Sequence, residues 1–403
     1  MSHFLKRYLR GDYVIWMVYF FLCLLSMVEM FSASSQNVAR SGSISAPIMQ
    51  HVTYLIIGAV FLFIAQAIPY RYVRMMSYFG LIFGLVLLLY TTFKGVVTND
   101  AARWMVIGGI QFQPSEIAKL CLIIVIADFV DRAQNPDFQK RFFPTMAVVV
   151  CVICGLIFPE NLSTTVLLFS VVFLMLFISG MSFKRISLFA GVIIVAVTSV
   201  FVIAANIPEQ KYNVANPNAF YKIFHRVSEW EKRIKTFGEP TSFVINDNNQ
   251  QVVHAQIAIA RSPVGPGNSV QRNRLPEASK DFIFAIIVEE MGILGGGVII
   301  LLYMTLLFRA GVIARKSQTI YPAVLVIGII SLIVLQAFLH IGVNVRLGPV
   351  TGLPLPLISR GGTSIVMTSI ALGIVQGIAR HVNESPVSPK TEIISEAEKI
   401  VDS

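Results

Sequence analysis

The chain has 403 residues, of which 55% are hydrophobic and 13% are charged, and its mean hydropathy is +0.71. This composition excludes a soluble globular protein and indicates a membrane protein with many spans. The formal net charge of +10 suits anionic lipid surfaces and phosphate-bearing substrates. The cations are dispersed over many loops, which argues against nucleic acid as a partner.

Ten apolar runs predict ten helices, since a membrane span needs about 20 apolar residues. The fifth and sixth runs are shorter and predict a tight hairpin, and one wide hydrophilic gap, at about residues 207–280, predicts a large loop. We therefore expect an all-α polytopic fold, with a membrane domain over residues 1–382 and a disordered cytoplasmic tail over residues 383–403. The runs lie near residues 13–33, 51–68, 76–93, 115–130, 144–158, 163–180, 186–206, 282–308, 320–342 and 363–379.

The placement of basic residues orients these spans. Cations precede the first run and follow the second, fourth, sixth and eighth runs, so that every even-numbered gap is basic and short. By the positive-inside rule, both termini lie in the cytoplasm and the 207–280 loop lies outside. The cations that set this orientation are Lys6, Arg7, Arg10, Arg71, Arg74, Arg132, Lys140, Arg141, Lys184, Arg185, Arg309, Arg315 and Lys316.

A cluster of ionisable residues lies around the third gap and the fourth run, where Arg103 and Trp104 precede the sequence QPSEIAK. Pro114 suits the first turn of a helix, and Glu116 and Lys119, three residues apart, share a helix face and can pair. An ionisable pair just inside a span is costly and by default marks a site or a pathway. An interfacial salt bridge with a snorkelling lysine would use the same residues, and Trp104 would equally serve as an interface anchor.

The large loop alternates cations with aromatic residues in its first half. This pattern predicts either an amphipathic helix on the outer leaflet or a solvated helix face. The residues concerned are Lys211, Phe220, Tyr221, Lys222, Phe224, Arg226, Trp230, Lys232, Arg233 and Lys235.

A carboxylate, Asp281, lies where the eighth apolar run begins, at the outer interface and near the N-terminus of a helix. Free amides and the helix dipole favour an anion at such a place. The local sequence therefore allows either a helix cap, which is a common role of aspartate, or a carboxylate that takes part in chemistry. The same run carries Glu289 and Glu290, which a continuous helix would place about 12–13 Å deeper.

Residues 344–364, which we call the proline–glycine segment, read NVRLGPVTGLPLPLISRGGTS and separate the last two runs. Proline lacks an amide donor and glycine lowers helix stability, so the segment cannot continue a helix. Irregular backbone at membrane depth is tolerated only where it is buried in protein or lines a wet cavity. The segment therefore predicts either an ordinary turn between two helices or a loop that lines a cavity.

Three of these stretches resemble the signature of the SEDS family (shape, elongation, division and sporulation), whose members polymerise peptidoglycan from lipid II. The stretch around Asp281 is similar to the family's LPEAHTDFIF, whose aspartate is essential, although Ser279 and Lys280 replace the common His-Thr pair. The stretch RW…QPSE…K is similar to one whose residues line the cavity beside that aspartate. Arg346 and Arg360 stand where the family commonly has apolar or aromatic residues. In the proline–glycine segment the matching residues are Asn344, Pro349, Thr351, Gly352, Pro354, Leu355, Pro356, Ser359, Gly361, Gly362 and Ser364.

The resemblance implies a peptidoglycan glycosyltransferase of the bacterial cytoplasmic (inner) membrane. Such an enzyme would join one lipid II to the next during septal cell-wall synthesis, with undecaprenyl pyrophosphate as the leaving group. The implied partners are lipid II, a class B penicillin-binding protein and other division proteins. The sequences GNSVQ and LPEA favour the division branch, which is FtsW-like, over a RodA-like elongation polymerase. A lipid II flippase and a non-catalytic division scaffold are the alternatives.

The resemblance also implies residue roles. Asp281 matches the essential carboxylate and would act as the base, while cations would stabilise the pyrophosphate and Glu116 would orient Lys119. No nucleotide is required, since the donor is already activated, whereas a divalent cation (Mg or Mn) that bridges Asp281 and the pyrophosphate is an open alternative. The expected substrate-binding residues are Arg103, Trp104, Glu116, Lys119, Lys280, Arg346, Ser359 and Arg360.

Overall fold

The computed structural model describes most of the chain. The described residues are 10–34, 45–94, 96–98, 101–107, 110–159, 161–205, 227, 229–231, 233, 237, 250–265, 267 and 280–384. Most of the predicted large loop, and all but the first two residues of the predicted tail, lie outside these ranges.

The predicted all-α polytopic membrane fold is confirmed, and each of the ten predicted runs coincides with a helix. Seven of the described helices are long and apolar enough to span a membrane, namely α1, α2, α3, α5, α9, α10 and α11, and α6 is a shorter apolar helix. The helices are α1 (Tyr13–Ser34), α2 (Ser45–Ala67), α3 (Tyr70–Lys94), α4 (Pro114–Arg132), α5 (Pro136–Ile157), α6 (Leu162–Ile178), α7 (Phe183–Ala205), α8 (Gln250–Ala260), α9 (Ile283–Lys316), α10 (Ile320–Asn344) and α11 (Gly362–Glu384).

Helices α10 and α11 lie at the centre of the bundle, whereas α2 and α3 are peripheral. In α10 and α11, 78% of the most apolar 18-residue window is buried, against 28% in α2 and α3. Close approach between α11 and α2 depends on two glycines four residues apart. A Cβ atom at Gly373 would lie 2.4 Å from the carbonyl oxygen of Leu62, and one at Gly377 would lie 3.0 Å from that of Gln66. Small residues at this spacing let the backbones of membrane helices pack closely.

A small antiparallel sheet between α3 and α4 adds to the predicted fold. Its strands are β1 (Val96–Thr98), β2 (Ala101–Ile107) and β3 (Ile110–Phe112), in that order. Val96 pairs with Trp104 across the first ladder, and Met105 pairs with Phe112 across the second. The stretch is rich in the β-branched and aromatic residues that suit strands, and Gly108-Gly109 separates β2 from β3.

Helix α9 is broken at Gly292, whose backbone has φ 74° and ψ 179°. Only glycine readily adopts this conformation, and a Cβ atom there would lie 2.1 Å from the carbonyl oxygen of Gly265. The amides freed by the break bond to the preceding loop: Ile293 donates to the Pro263 carbonyl at 3.1 Å, and Leu294 donates to the Val264 carbonyl at 3.3 Å. The break therefore depends on contacts with residues 263–265.

The first part of α9, residues 283–291, folds back against the second part. A Cβ atom at Gly296 would lie 2.7 Å from Cγ2 of Val288 and 3.3 Å from Cζ of Phe284. In a straight helix, Phe284 and Gly296 would be about 18 Å apart. The two parts of α9 therefore do not share one axis. Glu290, in the first part, accepts hydrogen bonds from Ser32 at the C-terminal end of α1, at 2.6 and 2.7 Å.

The break at Gly292 generates a stability prediction. We expect Gly292→Ala to lower the midpoint of thermal unfolding in detergent, because the new Cβ atom would collide with backbone and the required φ is costly for alanine. The matched control is Gly297→Ala in the same helix, where nothing lies within 4 Å of the added Cβ atom. That control should be neutral or stabilising, since alanine favours helix over glycine by about 0.5–1 kcal/mol. Equal midpoints for the two variants would contradict the described break.

Candidate active site

Asp281 immediately precedes the N-terminus of α9, next to the proline–glycine segment. The N-cap residue is Phe282, so that Asp281 lies one residue before the capping position. The side chain of Asn344 supplies the capping bond instead, because its Oδ1 accepts from the amide of Ala285 at 3.0 Å. The same side chain donates through Nδ2 to the Asp281 carbonyl at 3.2 Å and to the His340 carbonyl at 2.8 Å. The structure therefore does not favour the cap alternative for Asp281, and its carboxylate is partly exposed.

The turn at Gly352 faces this carboxylate. Gly352 has φ 63°, and a Cβ atom there would lie 3.8 Å from Oδ2 of Asp281. Arg346 and Leu357 also have positive φ values, of 58° and 66°. Such backbone is costly for bulky side chains and persists only where the surroundings impose it. The segment is therefore a packed loop that borders Asp281, which excludes the ordinary short turn.

Side chains on three helices, α1, α9 and α10, hold the carbonyl groups of this loop. Gln336 on α10 donates to the Pro354 carbonyl at 2.9 Å, and Tyr303 on α9 donates to the Pro356 carbonyl at 2.6 Å. His340 on α10 bonds through Nδ1 to the Leu353 carbonyl at 2.8 Å. Ser26 on α1 donates to the Ile358 carbonyl at 3.0 Å, and its hydroxyl also lies 2.6 Å from Nε2 of His51 on α2. Irregular backbone survives in a membrane protein only when such partners satisfy it.

These supporting residues were missed by sequence reasoning. A signal for two of them is present, because Gln336 and His340 are polar residues inside an otherwise apolar span, and such residues commonly mark a functional region. Ser26 and Tyr303 give no comparable signal, since serine and tyrosine are ordinary residues in membrane helices.

The predicted pairing of Glu116 with Lys119 is present at 2.8 Å between Oε1 and Nζ. Both side chains are buried, with 8% and 3% of their surface exposed, so Lys119 does not snorkel to the interface. Its ammonium group also donates to Oε1 of Gln336 at 3.3 Å. Because Gln336 donates in turn to the Pro354 carbonyl, the ion pair on α4 is linked to the proline–glycine segment.

Ser359 is 1% exposed, and its hydroxyl is hydrogen-bonded to two backbone groups. The hydroxyl accepts from the Leu355 amide and donates to the Lys280 carbonyl, both at 2.8 Å. It thus ties the loop to the residue beside Asp281. Arg360 is partly exposed and donates to Oε1 of Gln50 on α2 at 3.3 Å.

The remaining predicted cations lie around the same region. Arg346 follows the C-cap residue of α10 and is partly exposed, as is Lys280. Arg103 and Trp104 lie on β2, and their side chains are outside the described part of the structure. Among the described residues, no group of three or more histidine, cysteine, aspartate or glutamate side chains converges as a metal site.

The large loop also contacts the site. Nη1 of Arg233 donates to the Val350 carbonyl at 3.2 Å. Trp230, which was predicted to lie on an interfacial or solvated helix face, is instead buried against Phe158, with ring centroids 5.1 Å apart, and against Phe201 on α7. The expectation fails here because this ring fills a gap between the ends of α5 and α7.

The chain is similar to known proteins over nearly its whole length. The family model described as cell cycle protein, for FtsW, RodA and SpoVE, matches residues 12–384. Over 365 residues the chain is 32% identical to a probable peptidoglycan glycosyltransferase FtsW of Nitrosomonas europaea, covering 87% of this chain and 88% of that protein. Over 373 residues it is 26% identical to the peptidoglycan glycosyltransferase MrdB of Escherichia coli, covering 89% and 91%.

Two solved structures share the fold. One is described as "Structural coordination of polymerization and crosslinking by a peptidoglycan synthase complex", with a TM-score of 0.72, 22% identity, and coverage of 93% of this chain and 99% of that chain. The other is the rod shape determining protein RodA of Thermus thermophilus, with a TM-score of 0.63, 20% identity, and coverage of 94% and 100%. The chain is a multi-pass membrane protein that belongs to the FtsW/RodA/SpoVE family, and the resemblance to the SEDS family is confirmed.

The hydrogen bonds of Gln336 with Lys119 and with the Pro354 carbonyl generate a prediction. Gln336→Leu keeps the side-chain volume but removes the donor to Pro354 and the acceptor for Lys119, so we expect a loss of about 1–3 kcal/mol for the buried groups left unsatisfied. Thermal unfolding in detergent measures this loss. The matched control is Ser331→Ala on the same helix, because the Ser331 hydroxyl is buried and makes no hydrogen bond within the described structure. A Gln336 variant as stable as this control would contradict the link.

Proposed function

We propose that this protein is a peptidoglycan glycosyltransferase that polymerises lipid II into glycan strands, with undecaprenyl pyrophosphate as the leaving group. The observation that carries the proposal is the position of Asp281, whose partly exposed carboxylate lies against the Gly352 turn. The capping bond near it is made by Asn344, so helix capping does not account for the aspartate. Relatives at 26–32% identity bear the name peptidoglycan glycosyltransferase.

In the proposed reaction, Asp281 acts as a general base. It takes the proton of the acceptor hydroxyl while that oxygen attacks the anomeric carbon of the donor lipid II. The bond between this carbon and the pyrophosphate oxygen breaks, and undecaprenyl pyrophosphate leaves with the electron pair. Cations stabilise the negative charge that develops on the leaving group.

The site residues divide into two groups by burial. Arg346, Arg360 and Lys280 are partly exposed, and they are the cations that we assign to the phosphates. Lys119 is buried and held by Glu116 and Gln336, so its charge acts on the site from beneath the proline–glycine segment. Ser359 positions the loop through two backbone contacts.

The proposal extends to Arg103, Trp104 and a metal ion. Arg103 and Trp104 remain substrate-binding candidates because β2 pairs with β3, which leads directly into α4, the helix that carries the buried ion pair. A divalent cation, if the reaction uses one, would be held by the Asp281 carboxylate, since oxygen ligands suit Mg²⁺, and would supply positive charge to stabilise the leaving group.

We assign the protein to septal wall synthesis, at the division site of the cytoplasmic membrane. The 32% identity to an FtsW protein exceeds the 26% identity to MrdB, which supports the division branch over a RodA-like elongation polymerase. The partner proposed is a class B penicillin-binding protein. The similar peptidoglycan synthase complex supports this choice, because polymerisation and crosslinking are coordinated within that one assembly.

A lipid II flippase is not favoured by the position of the carboxylates. A flippase needs polar groups along the full depth of the membrane, and Glu290 lies at the end of the bundle that holds Asp281, through its bond with Ser32. The middle of α10 is buried and almost wholly apolar over residues 324–334. The middle of α10 therefore lacks the polar path that a flippase needs.

The orientation of the site relative to the membrane generates a topology prediction. A reporter fused after Lys316 should be cytoplasmic, and one inserted near Asn248 should be external, because the short basic gaps orient the chain by the positive-inside rule. Alkaline phosphatase and green fluorescent protein fusions distinguish the two compartments. Both reporters on one side would contradict the proposed external location of Asp281.

The role of Asp281 generates the central prediction. Asp281→Asn keeps the size of the side chain and removes the basic oxygen, so we expect glycan-strand formation to fall by about a hundred-fold or more. The measurement is polymerisation of purified lipid II by the wild-type and variant proteins, each in complex with the same penicillin-binding protein.

The unfolding midpoint and the co-purification of the partner serve as controls and should not change. Near-normal polymerisation by the Asn variant would overturn the general-base assignment, since asparagine caps a helix about as well as aspartate does.

A further inference from the structure

A cavity lies at the opposite end of the bundle from Asp281. It has a volume of about 650 Å³ and lies between the start of α3 and the C-terminal end of α11, with Gly377 in its wall. Helix α11 begins at Gly362, beside the proline–glycine segment. Gly377 is 15 residues further along, which corresponds to about 22 Å. The cavity is therefore distinct from the proposed catalytic site.

The walls of this cavity are positively charged. Arg71 and Arg380 line it, together with His381, whose ring packs against Tyr70 with centroids 5.2 Å apart. Among the described lining residues, Glu384 is the one carboxylate.

Other cations at this end of the bundle have carboxylate partners. Arg309 pairs with Asp12, Arg74 pairs with Asp128 and with Asp131, and Arg132 pairs with Asp128. Glu384 is 3.8 Å from Arg10.

In contrast, neither Arg71 nor Arg380 makes a hydrogen bond or ion pair within the part of the chain that the structure describes. Since the described carboxylates nearby are engaged with other cations, these two arginines can each take a further anionic partner.

An apolar stripe leads from the cavity along α3. Tyr72 and Met75 line the cavity and are 59% and 57% exposed, and Phe79, Ile82 and Phe83 continue the exposed row at spacings of three and four residues. Residues at this spacing share one helix face. The row lies within the apolar span of α3, so it faces the hydrocarbon chains of the bilayer.

We propose that the cavity binds the headgroup of an anionic phospholipid, with the phosphate between Arg71 and Arg380 and an acyl chain along the exposed row of α3. Basic pockets between membrane helices at the cytoplasmic surface commonly hold such headgroups. The apolar row adjoins the cavity, so a lipid could place its headgroup and an acyl chain there together, which a free phosphate or a nucleotide could not do.

Native mass spectrometry of the purified full-length protein tests the proposal. The protein is titrated in detergent with phosphatidylglycerol or with the zwitterionic phosphatidylcholine, and we expect tighter binding of phosphatidylglycerol. Arg71→Gln and Arg380→Gln should each weaken that binding about five-fold, which follows from about 1 kcal/mol per basic residue near an anionic lipid. Both side chains reach the surface, so the variants should fold.

The matched control is the double variant Arg315→Gln, Lys316→Gln, which removes two exposed cations from the same end of the bundle outside the cavity. It should bind phosphatidylglycerol as the wild type does. Equal affinity for the two lipids, or an equal loss in the control, would overturn the proposal. Displacement of the lipid by millimolar inorganic phosphate would also overturn it, because the site would then recognise a free anion. The readout is binding alone, so its outcome does not depend on the proposed glycosyltransferase activity.

Discussion

The site depends on one constraint. Inside a membrane protein, the backbone N–H and C=O groups of irregular structure need hydrogen-bond partners. The proline–glycine segment lacks the hydrogen bonds of a helix, and carbonyl groups without partners would cost several kcal/mol each in hydrocarbon. Side chains from α1, α9 and α10 supply the donors. Polar residues such as Gln336 thus have a structural reason to lie in apolar spans.

This same network determines where the proposed base lies. Asn344 bonds to the backbone at Asp281 and at Ala285, so the start of α9 is fixed by the end of α10. Ser359 ties Lys280 to the far side of the loop. Hydrogen bonds therefore hold the backbone at Asp281 and at the neighbouring cations in one connected network. Electrostatic catalysis requires such a preorganised arrangement.

The sequence predicted the helices well, because long apolar runs carry a strong signal in a membrane protein. It also predicted the ion pair of Glu116 with Lys119 from their spacing. The sheet between α3 and α4 was missed because its strands are short and lie in a gap between spans. The break at Gly292 was missed because the surrounding run is uniformly apolar, and the amides it frees bond to residues 263 and 264, which are distant in sequence.

The two ends of the bundle differ in how they are held. At the end opposite Asp281, the pair of Asp12 and Arg309 joins α9 to the start of α1, and Gln376 on α11 bonds to both backbone groups of Asp12. Three helices thus meet at a single buried residue, Asp12. Removing one partner of a buried ion pair is far costlier than the pair is stabilising, so this end resists separation of its helices. The end that holds Asp281 instead joins the buried pair of Glu116 and Lys119 to irregular backbone, through the bonds of Gln336 with Lys119 and with the Pro354 carbonyl. The proposed substrate would therefore meet a loop whose backbone is held in place from the neighbouring helices.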